Sequence, residues 1–414
     1  MSHALRFTAG LVAIAALGSP CLVAAQAPAR RDSTTGPSLD LAINHVGLSI
    51  GNSPRLTGIR LNFRDANVVR INGINVTLWA PGQNPKAEIN GLALGLIAPG
   101  AARLNGISVG VGAVRADRSL TGLGVGGFAV MSHGSIAGVT ASGFAVTADS
   151  NVTGINVAGL AVLSRGALTG ITIAGASVTA SNGARGVTVG GLAAVIQTRL
   201  TGFTVGGLAV VSEGPTTGFT AAGLGVAARG DMTGVGMSGL ATFSSGRMRG
   251  VQFGGLAVLG ETGISGVTVG GLGVVSSGGV QGLTITGGAL TSGADVHGVT
   301  VAGLAMVADG DVRWVTLTAG TLLARSSAAG LLMGLYRVRS PSVSGISLSA
   351  LQLRTIRLRG ASVAAYNSVR EQHGLSIGIF NDARRLHGVQ LGLLNRADNN
   401  PRATRWLPLI NAHF

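Results

Sequence analysis

Residues 202–217 read GFTVGGLAVVSEGPTT, and close variants of this pattern flank them on both sides. The next sixteen residues, from Gly218, read GFTAAGLGVAARGDMT, and the preceding sixteen, from Gly186, read GVTVGGLAAVIQTRLT. Each version begins with glycine, an apolar residue and threonine, and reaches a pair of small residues four positions after its first glycine. Self-similarity at a fixed period indicates a repeat architecture.

The period is kept without insertion or deletion over twelve consecutive units. Glycines recur every sixteen residues from Gly122 to Gly298, and a second series, five residues later, runs from Gly127 to Gly303. Steps of 14 to 18 residues continue the phase on both sides, with Trp314 in place of one glycine. Such a register is expected when every unit stacks on its neighbour, because an added residue would turn later side chains to the wrong face.

Within a unit, numbered from its first glycine as position 0, polarity alternates over short runs. Apolar residues occupy positions 1, 3, 6, 8 and 14, threonine is frequent at position 2, and positions 11–13 hold most charges. Period-two alternation predicts short strands, and the change of parity predicts a corner at the small residues of positions 4 and 5. For the unit of Gly202, the expected inward residues are Phe203, Val205, Leu208 and Val210, and Thr204 is expected outside.

The predicted fold class is all-β, a parallel β-solenoid (β-helix) of coils of about 16 residues with irregular terminal caps. A signal peptide is predicted at 1–25, from the basic start MSHALRF and the apolar run TAGLVAIAALG, and a flexible leader at 26–40. Irregular coils follow at 41–120, regular sixteen-residue coils at 121–312, and basic coils with 14–15-residue repeats and a cap at 313–414. An outer-membrane β-barrel is the alternative fold. It is disfavoured because barrel strands keep one inside–outside alternation over ~9–11 residues, whereas the alternation here changes within each unit.

The net charge of +15 is concentrated at the C-terminal end of the chain. Residues 313–414 carry 13 arginines against three acids, whereas 121–312 carry 6 arginines and 7 acids. The basic end predicts contact with anionic lipid or polysaccharide, or a solubilising cap, and nucleic acid is not expected for an exported chain. Cys21 is the only cysteine and would leave with the signal peptide, so neither disulfide nor thiol chemistry is expected.

The last units have a different repeat sequence and read GASVAAYNSVREQH, GLSIGIFNDARRLH and GVQLGLLNRADNN. Asn367, Asn381 and Asn395 fall at the same position of each, which predicts a ladder of stacked amides. The ending NNPRATRWLPLINAHF predicts a cap in which Trp406 and Phe414 cover the last coil. Residues 360–414 resemble a family of exported bacterial surface-repeat proteins with tandem G-[VL]-x-[IL]-G-[IL]-[LF]-N units and a PLIN-type ending. The resemblance implies a surface or envelope location and transfers no catalytic residue.

Several short motifs match catalytic or cofactor-binding patterns as text. GISVG and GLSIG place Ser108 and Ser376 in a G-x-S-x-G pattern, but a nucleophile elbow needs a strand-to-helix turn, and position 2 is expected to face outward. GLGVGG, at 122–127, lacks the following helix that a dinucleotide site requires. His373 and His387 should lie one coil apart without a third metal ligand. No catalytic, cofactor-binding or metal residue is therefore predicted.

Two further hypotheses concern outward-facing columns. Asp295, Asp309 and Asp311 fall in neighbouring turns, where they would either converge on Ca²⁺ or form a solvated acidic turn. The threonine column of position 2, if it faces water, raises the possibility of ice binding. Asn156 and Gln252 interrupt that column.

The predicted function is that of a non-catalytic, exported or surface-displayed repeat protein, a structural or adhesive rod without cofactor. The expected location is the cell surface, the outer membrane or the extracellular space. Expected partners are envelope or surface polysaccharide, lipid or the protein itself, with no nucleic acid and no small-molecule substrate. The alternatives are an outer-membrane β-barrel and a solenoid-based enzyme or ice- or calcium-binding protein.

Overall fold

The computed structural model describes residues 38–82 and 84–414, and all the regular elements among them are β-strands. The predicted signal peptide, and residues 26–37 of the predicted leader, lie outside the described residues. The last three leader residues, from Ser38 to Asp40, belong to the first strand. The chain divides into two compact units, Met1–Gly223 and Leu224–Phe414.

The strands of the N-terminal unit alternate, over its regular part, between longer and four-residue segments. They are β1 (Ser38–Ile43), β2 (Val46–Gly51), β3 (Arg55–Asn62), β4 (Arg70–Thr77), β5 (Glu88–Gly95), β6 (Gly100–Gly110), β7 (Ala113–Gly126), β8 (Ala129–Ser132), β9 (Ser135–Ser142), β10 (Ala145–Ala148), β11 (Val152–Ala158), β12 (Ala161–Ser164), β13 (Leu168–Ala174), β14 (Ser177–Ala180), β15 (Ala184–Gly190), β16 (Ala193–Ile196), β17 (Leu200–Gly206), β18 (Ala209–Ser212) and β19 (Thr216–Ala222).

The C-terminal unit begins with the same alternation and ends with longer strands. Its strands are β20 (Gly225–Ala228), β21 (Met232–Ser238), β22 (Ala241–Ser244), β23 (Arg247–Gly254), β24 (Ala257–Gly260), β25 (Gly263–Gly270), β26 (Gly273–Ser276), β27 (Gly279–Thr286), β28 (Ala289–Ser292), β29 (Val296–Ala302), β30 (Ala305–Ala308), β31 (Val312–Thr318), β32 (Thr321–Ala324), β33 (Ser327–Gly334), β34 (Arg337–Leu348), β35 (Gln352–Val363), β36 (Tyr366–Ala397) and β37 (Trp406–His413).

Successive coils pair in parallel and residue for residue within each unit. In the N-terminal unit, β17 pairs with β15 and β19, so that Gly202 lies opposite both Gly186 and Gly218. In the C-terminal unit, β27 pairs in the same way with β25 and β29. These pairings satisfy the backbone donors and acceptors of each coil through its neighbours. The predicted parallel β-solenoid with sixteen-residue spacing is confirmed.

One coil shows how sixteen residues complete a turn. The longer strand β17 ends in a bend at residues 207–208, the short strand β18 follows, and a second bend lies at 213–214. The chain changes direction a third time at Gly202, where none of Thr201, Gly202 and Phe203 is buried. The buried residues of β17 and β18 are Leu200, Thr204, Gly206, Ala209, Val210 and Ser212.

The predicted inward set of this coil is wrong at most of its positions. Phe203 and Leu208 are 43% and 39% exposed and Val205 is half-buried, whereas Thr204 is only 1% exposed. Only Val210 lies inside as predicted. Positions 2 and 4 of this strand face the interior, and their neighbours Phe203 and Val205 therefore point outward, because successive residues of a strand face opposite sides. The bend at 207–208 also places Leu208 on the outside of a corner.

Glycine has two different roles in the repeat, one at position 0 and another at position 5. Gly202, at position 0, adopts a φ of 113°, a region that side chains of L-residues avoid. Gly207, at the bend, is not among the residues with positive φ. A Cβ on Gly207 would instead overlap the carbonyl oxygen of Gly191 in the preceding coil. Position 5 is therefore glycine because coils approach closely there, and the special backbone angle belongs to position 0.

The N-terminal end of the first unit is closed by a hairpin. β1 pairs antiparallel with β2 through a two-residue turn at Asn44 and His45, whose φ angles are 51° and 63°. Both residues therefore have the positive φ of a type I′ turn, whose twist suits a β-hairpin.

The C-terminal end of the second unit is closed by β37, which pairs antiparallel with β36. Trp406 stacks on Phe380 at 5.9 Å between ring centroids, and the Arg396 guanidinium lies 5.2 Å from the centroid of the Trp406 ring. Phe414 is 94% exposed, so its predicted covering role is wrong. The backbone of β37 closes the sheet edge, since a paired edge presents no free donors and acceptors.

Candidate functional surface

The threonine column of position 2 lies inside both units. Thr140, Thr188 and Thr204 are buried in the first unit, and Thr268 and Thr300 in the second. The Thr140 hydroxyl donates to Oδ1 of Asn156 at 2.6 Å, while the Thr204 hydroxyl has no hydrogen-bond partner. The predicted outward orientation is wrong, so this column presents no hydroxyls to ice or water.

The two serines of the G-x-S-x-G matches also lie in the interior. Ser108 and Ser376 are buried at position 2, and the Ser362 hydroxyl donates to Ser376 Oγ at 3.0 Å. The outward orientation predicted for them is wrong. Because a nucleophile must reach its substrate, neither hydroxyl is placed for acyl transfer.

The three predicted aspartates serve as links between turns. Asp295 Oδ1 accepts the backbone N–H of Asp311 at 2.8 Å, and Asp309 pairs with Arg325 at 3.2 Å. Asp311 Oδ1 accepts both the Ser326 and the Ser327 hydroxyls at 2.7 Å. These bonds, first that of Ser327 and then that of Ser326, lower the pKa of Asp311 to about 2.

The aspartate carboxylates therefore hold neighbouring coils together instead of meeting at one point. Asp231 and Asn151 use the same device, each accepting the backbone N–H found one coil later, from Arg247 at 2.8 Å and from Ala167 at 2.9 Å. Within residues 38–82 and 84–414, no group of three or more His, Cys, Asp or Glu side chains is placed to hold a metal ion.

The predicted histidine pair is a stack with an additional member. The rings of His373 and His387 are 4.8 Å apart, and His413 from the terminal strand meets His387 edge-on at 5.9 Å. His413 Nδ1 also lies 2.7 Å from Asn400 Oδ1. The antiparallel return of β37 brings His413 to this column, which sequence spacing did not indicate.

The asparagine ladder is confirmed. Asn367 Nδ2 donates to Oδ1 of Asn381, and Asn381 Nδ2 donates to Oδ1 of Asn395, both at 2.7 Å. All three side chains are buried, and Asn381 also donates to the Leu391 carbonyl at 2.9 Å. The amide groups therefore bond to one another and to the backbone in the buried interior.

A buried ion pair in the first coils was not predicted. Arg60 NH1 lies 2.6 Å from Asp65 Oδ1, with both side chains inaccessible to solvent. Asn75 Oδ1 accepts a second bond from Arg60 at 2.8 Å, and Thr77 donates to Asp65 Oδ2 at 2.7 Å. Burial lowers the pKa of Arg60, and the Asp65 charge opposes that shift. The available signal was an arginine two residues after Gly58, where later units have threonine.

Stacked apolar side chains cover the outer faces of the N-terminal unit. Phe203 stacks on Phe219 at 4.8 Å, and Phe128 on Phe144 at 5.4 Å. The exposed apolar residues at positions 1 and 6 of its coils include Ile107, Leu123, Val139, Ile155, Ile171, Leu160, Leu192 and Leu208. The alternating pattern of the sequence predicted these residues to lie in the core, and that prediction is wrong.

The C-terminal unit carries equivalent outward columns. Exposed members at positions 1, 3 and 6 include Val251, Val267, Leu283, Val299, Phe253, Ile285, Val301, Leu240, Leu256, Leu272 and Leu304. Contiguous exposed apolar surface of this kind marks an interaction site more often than a solvated face.

The turn positions of the coils are polar and charged. In the first unit, Arg165 extends from its turn and pairs with Asp149 at 2.9 Å, with its side chain 77% exposed. In the second unit, Arg325 pairs with Asp309 in the same position of the coil. These coils are therefore amphipathic, with exposed apolar side chains at positions 1, 3 and 6 and a polar edge at the turn.

Comparisons with protein-family models, curated protein sequences and solved structures give no match. The resemblance of residues 360–414 to a family of surface-repeat proteins therefore stays a prediction. In the described part of the chain, no helix has the length and hydropathy needed to cross a membrane.

Proposed function

We propose that this is an exported, non-catalytic structural protein of the cell envelope that associates with anionic lipid through the apolar faces of its coils. The observation that carries the proposal is the outward orientation of stacked leucine, valine, isoleucine and phenylalanine side chains in both units. Removing such surface from water is favourable by roughly 25 cal/mol per Å², so a repeated apolar face favours association strongly.

Arginine in the C-terminal coils favours lipid over a second copy of the chain, because residues 313–414 carry 13 arginines against three acids, whereas residues 121–312 are nearly neutral. With one lysine and 29 arginines against 15 acids, two copies repel each other, whereas an anionic lipid surface attracts each of them. A basic residue near such a surface contributes about 1 kcal/mol. An apolar face beside a basic edge is also the pattern of helices that lie in the membrane interface.

The interior supports a structural role over a catalytic one. Several of its buried polar side chains bond to one another or to the backbone of adjacent coils, as Asn381 and Thr140 do. The serines of the catalytic-looking motifs are buried. The export part of the proposal is supported by the signal-like composition of residues 1–25.

Vesicle flotation tests the lipid part of the proposal. The full chain is mixed with vesicles of phosphatidylcholine alone, or with one quarter phosphatidylglycerol, and centrifuged through a density gradient. Binding to the anionic vesicles is expected to exceed binding to the neutral ones. Leu272→Gln/Leu304→Gln removes two side chains that are 66% and 68% exposed, and we expect it to reduce binding several-fold.

The matched control is Ser277→Gln/Thr291→Gln, which changes two exposed polar residues of the same unit and should bind like the wild type. Equal binding of the leucine variant and the wild type contradicts the proposal, as does absence of binding to either vesicle. Sedimentation without vesicles is the companion measurement, and concentration-dependent self-association would indicate a second copy as the partner.

A further inference from the structure

The position-0 column of the C-terminal unit is interrupted by one bulky residue. Gly282, Gly298, Trp314 and Gly330 lie opposite one another on successive coils. Trp314 adopts a φ of 95°, close to the 108° to 127° of the glycines beside it. A large side chain in this region is a genuine outlier and is strained.

The indole ring of Trp314, on this strained backbone, is exposed to solvent. Trp314 is 69% exposed, although tryptophan normally buries much of its large surface. Glycine would occupy this position without strain, as it does in the neighbouring coils. Backbone strain of this kind is concentrated at ligand-binding positions, so the outlier points to a site.

Trp314 forms one wall of a surface groove of about 440 Å³. Gly282 and Gly298 leave its floor free of side chains, and Gln281, His297 and Arg313 lie one above another beside it. Nε2 of His297 is buried and has no hydrogen-bond partner. That nitrogen is closed off from the groove, which therefore offers a ligand the exposed aromatic face of Trp314 and the exposed planar side chains of Gln281 and Arg313.

We propose that this groove binds an oligosaccharide. The C–H face of a sugar ring would lie against the indole of Trp314, and its hydroxyls would bond the exposed Gln281 amide and Arg313 guanidinium. Arg313 is already paired with Asp311 at 3.0 Å, which reduces the net charge that a phosphate or other strong anion would require. The spacing of ~4.8 Å between coils suits a chain of rings running along the column.

Titration calorimetry of the full chain with cellohexaose, chitohexaose and hexagalacturonate tests the proposal. Saturable binding to at least one of these hexasaccharides is expected, and Trp314→Gly should weaken it at least tenfold. Because glycine relieves the strain at φ 95°, the variant should unfold at a temperature no lower than the wild type. Loss of binding can then be separated from loss of fold.

Two controls complete the test. Trp79→Ala removes another exposed tryptophan, in the N-terminal unit, and should leave binding unchanged. Gln281→Ala should weaken binding while leaving thermal stability close to that of the wild type, since its side chain is exposed. No binding to any of the three sugars, or equal binding by Trp314→Gly and the wild type, overturns the proposal. The readout is independent of the lipid experiment.

Discussion

Thr204 and Thr140 occupy the same position in different coils of the N-terminal unit, yet their hydroxyls have different surroundings. The Thr140 hydroxyl donates to Asn156, whereas the Thr204 hydroxyl is buried without a partner. A buried hydroxyl without a hydrogen bond is unfavourable, and a bonded one contributes to stability. The residue one coil away therefore decides whether this buried threonine raises or lowers the free energy of unfolding.

Replacing each threonine by valine should have opposite effects. Thr204→Val is expected to raise the free energy of unfolding by about 1 kcal/mol, because it removes an unpaired buried hydroxyl at nearly constant shape. Thr140→Val is expected to lower it by about 1–3 kcal/mol, because Asn156 loses its donor. Urea denaturation followed by circular dichroism measures both, and effects of the same sign would contradict this account of the interior.

At the scale of the element, the turns act as connectors between coils. Asx side chains such as Asp295 accept a backbone N–H from the next turn, and Asp311 extends the connection to two serines. In the turns of Asp295 and Asp311, for which calcium binding was one of two hypotheses, the carboxylates accept a series of hydrogen bonds. Their strength depends on ionised carboxylates, since a protonated carboxyl is a weaker acceptor.

Stability linked to Asp311 should therefore depend on pH. Its pKa is lowered to about 2 in the fold, so its contribution is fully present above its ordinary value of 3.8 and is lost as the pH falls towards 2. The melting temperature of Asp311→Asn should fall below that of the wild type at pH 6, and the difference should shrink to near zero at about pH 2. Asp149→Asn, in an exposed ion pair, is the control and should change the melting temperature little. A pH-independent difference for Asp311→Asn would contradict the link.

At the scale of the molecule, each of the two units has one end closed by an antiparallel strand. β1 covers β2, and β37 covers β36, in both cases antiparallel to the strand beneath. An uncovered strand offers a row of free donors and acceptors that another chain can pair with. Both terminal strands therefore limit growth by edge pairing.

Removing β37 should convert the protein into an associating one. A chain ending at Arg405 leaves the edge of β36 unpaired, and we expect higher oligomers by size-exclusion chromatography with light scattering. Deleting Phe414 alone is the control, because this residue is exposed and lies outside the strand. An unchanged molecular mass for the longer truncation would mean that the edge is blocked in another way.

The sequence by itself determined the period, the parallel stacking of like residues and the asparagine ladder. A fixed sixteen-residue spacing places Gly202 beside Gly218, and a fourteen-residue spacing places Asn367 beside Asn381, whatever the cross-section of the coil. Only the tertiary structure decided which side of each strand faces inward. Alternation shows that Phe203 and Thr204 face opposite ways, but only the closed coil shows that position 2 is the inward one, whether it holds Thr204, Gln252 or Arg60. The sequence predicted terminal caps, but neither their antiparallel pairing nor the strained backbone of Trp314, because both depend on contacts between coils that no local pattern records.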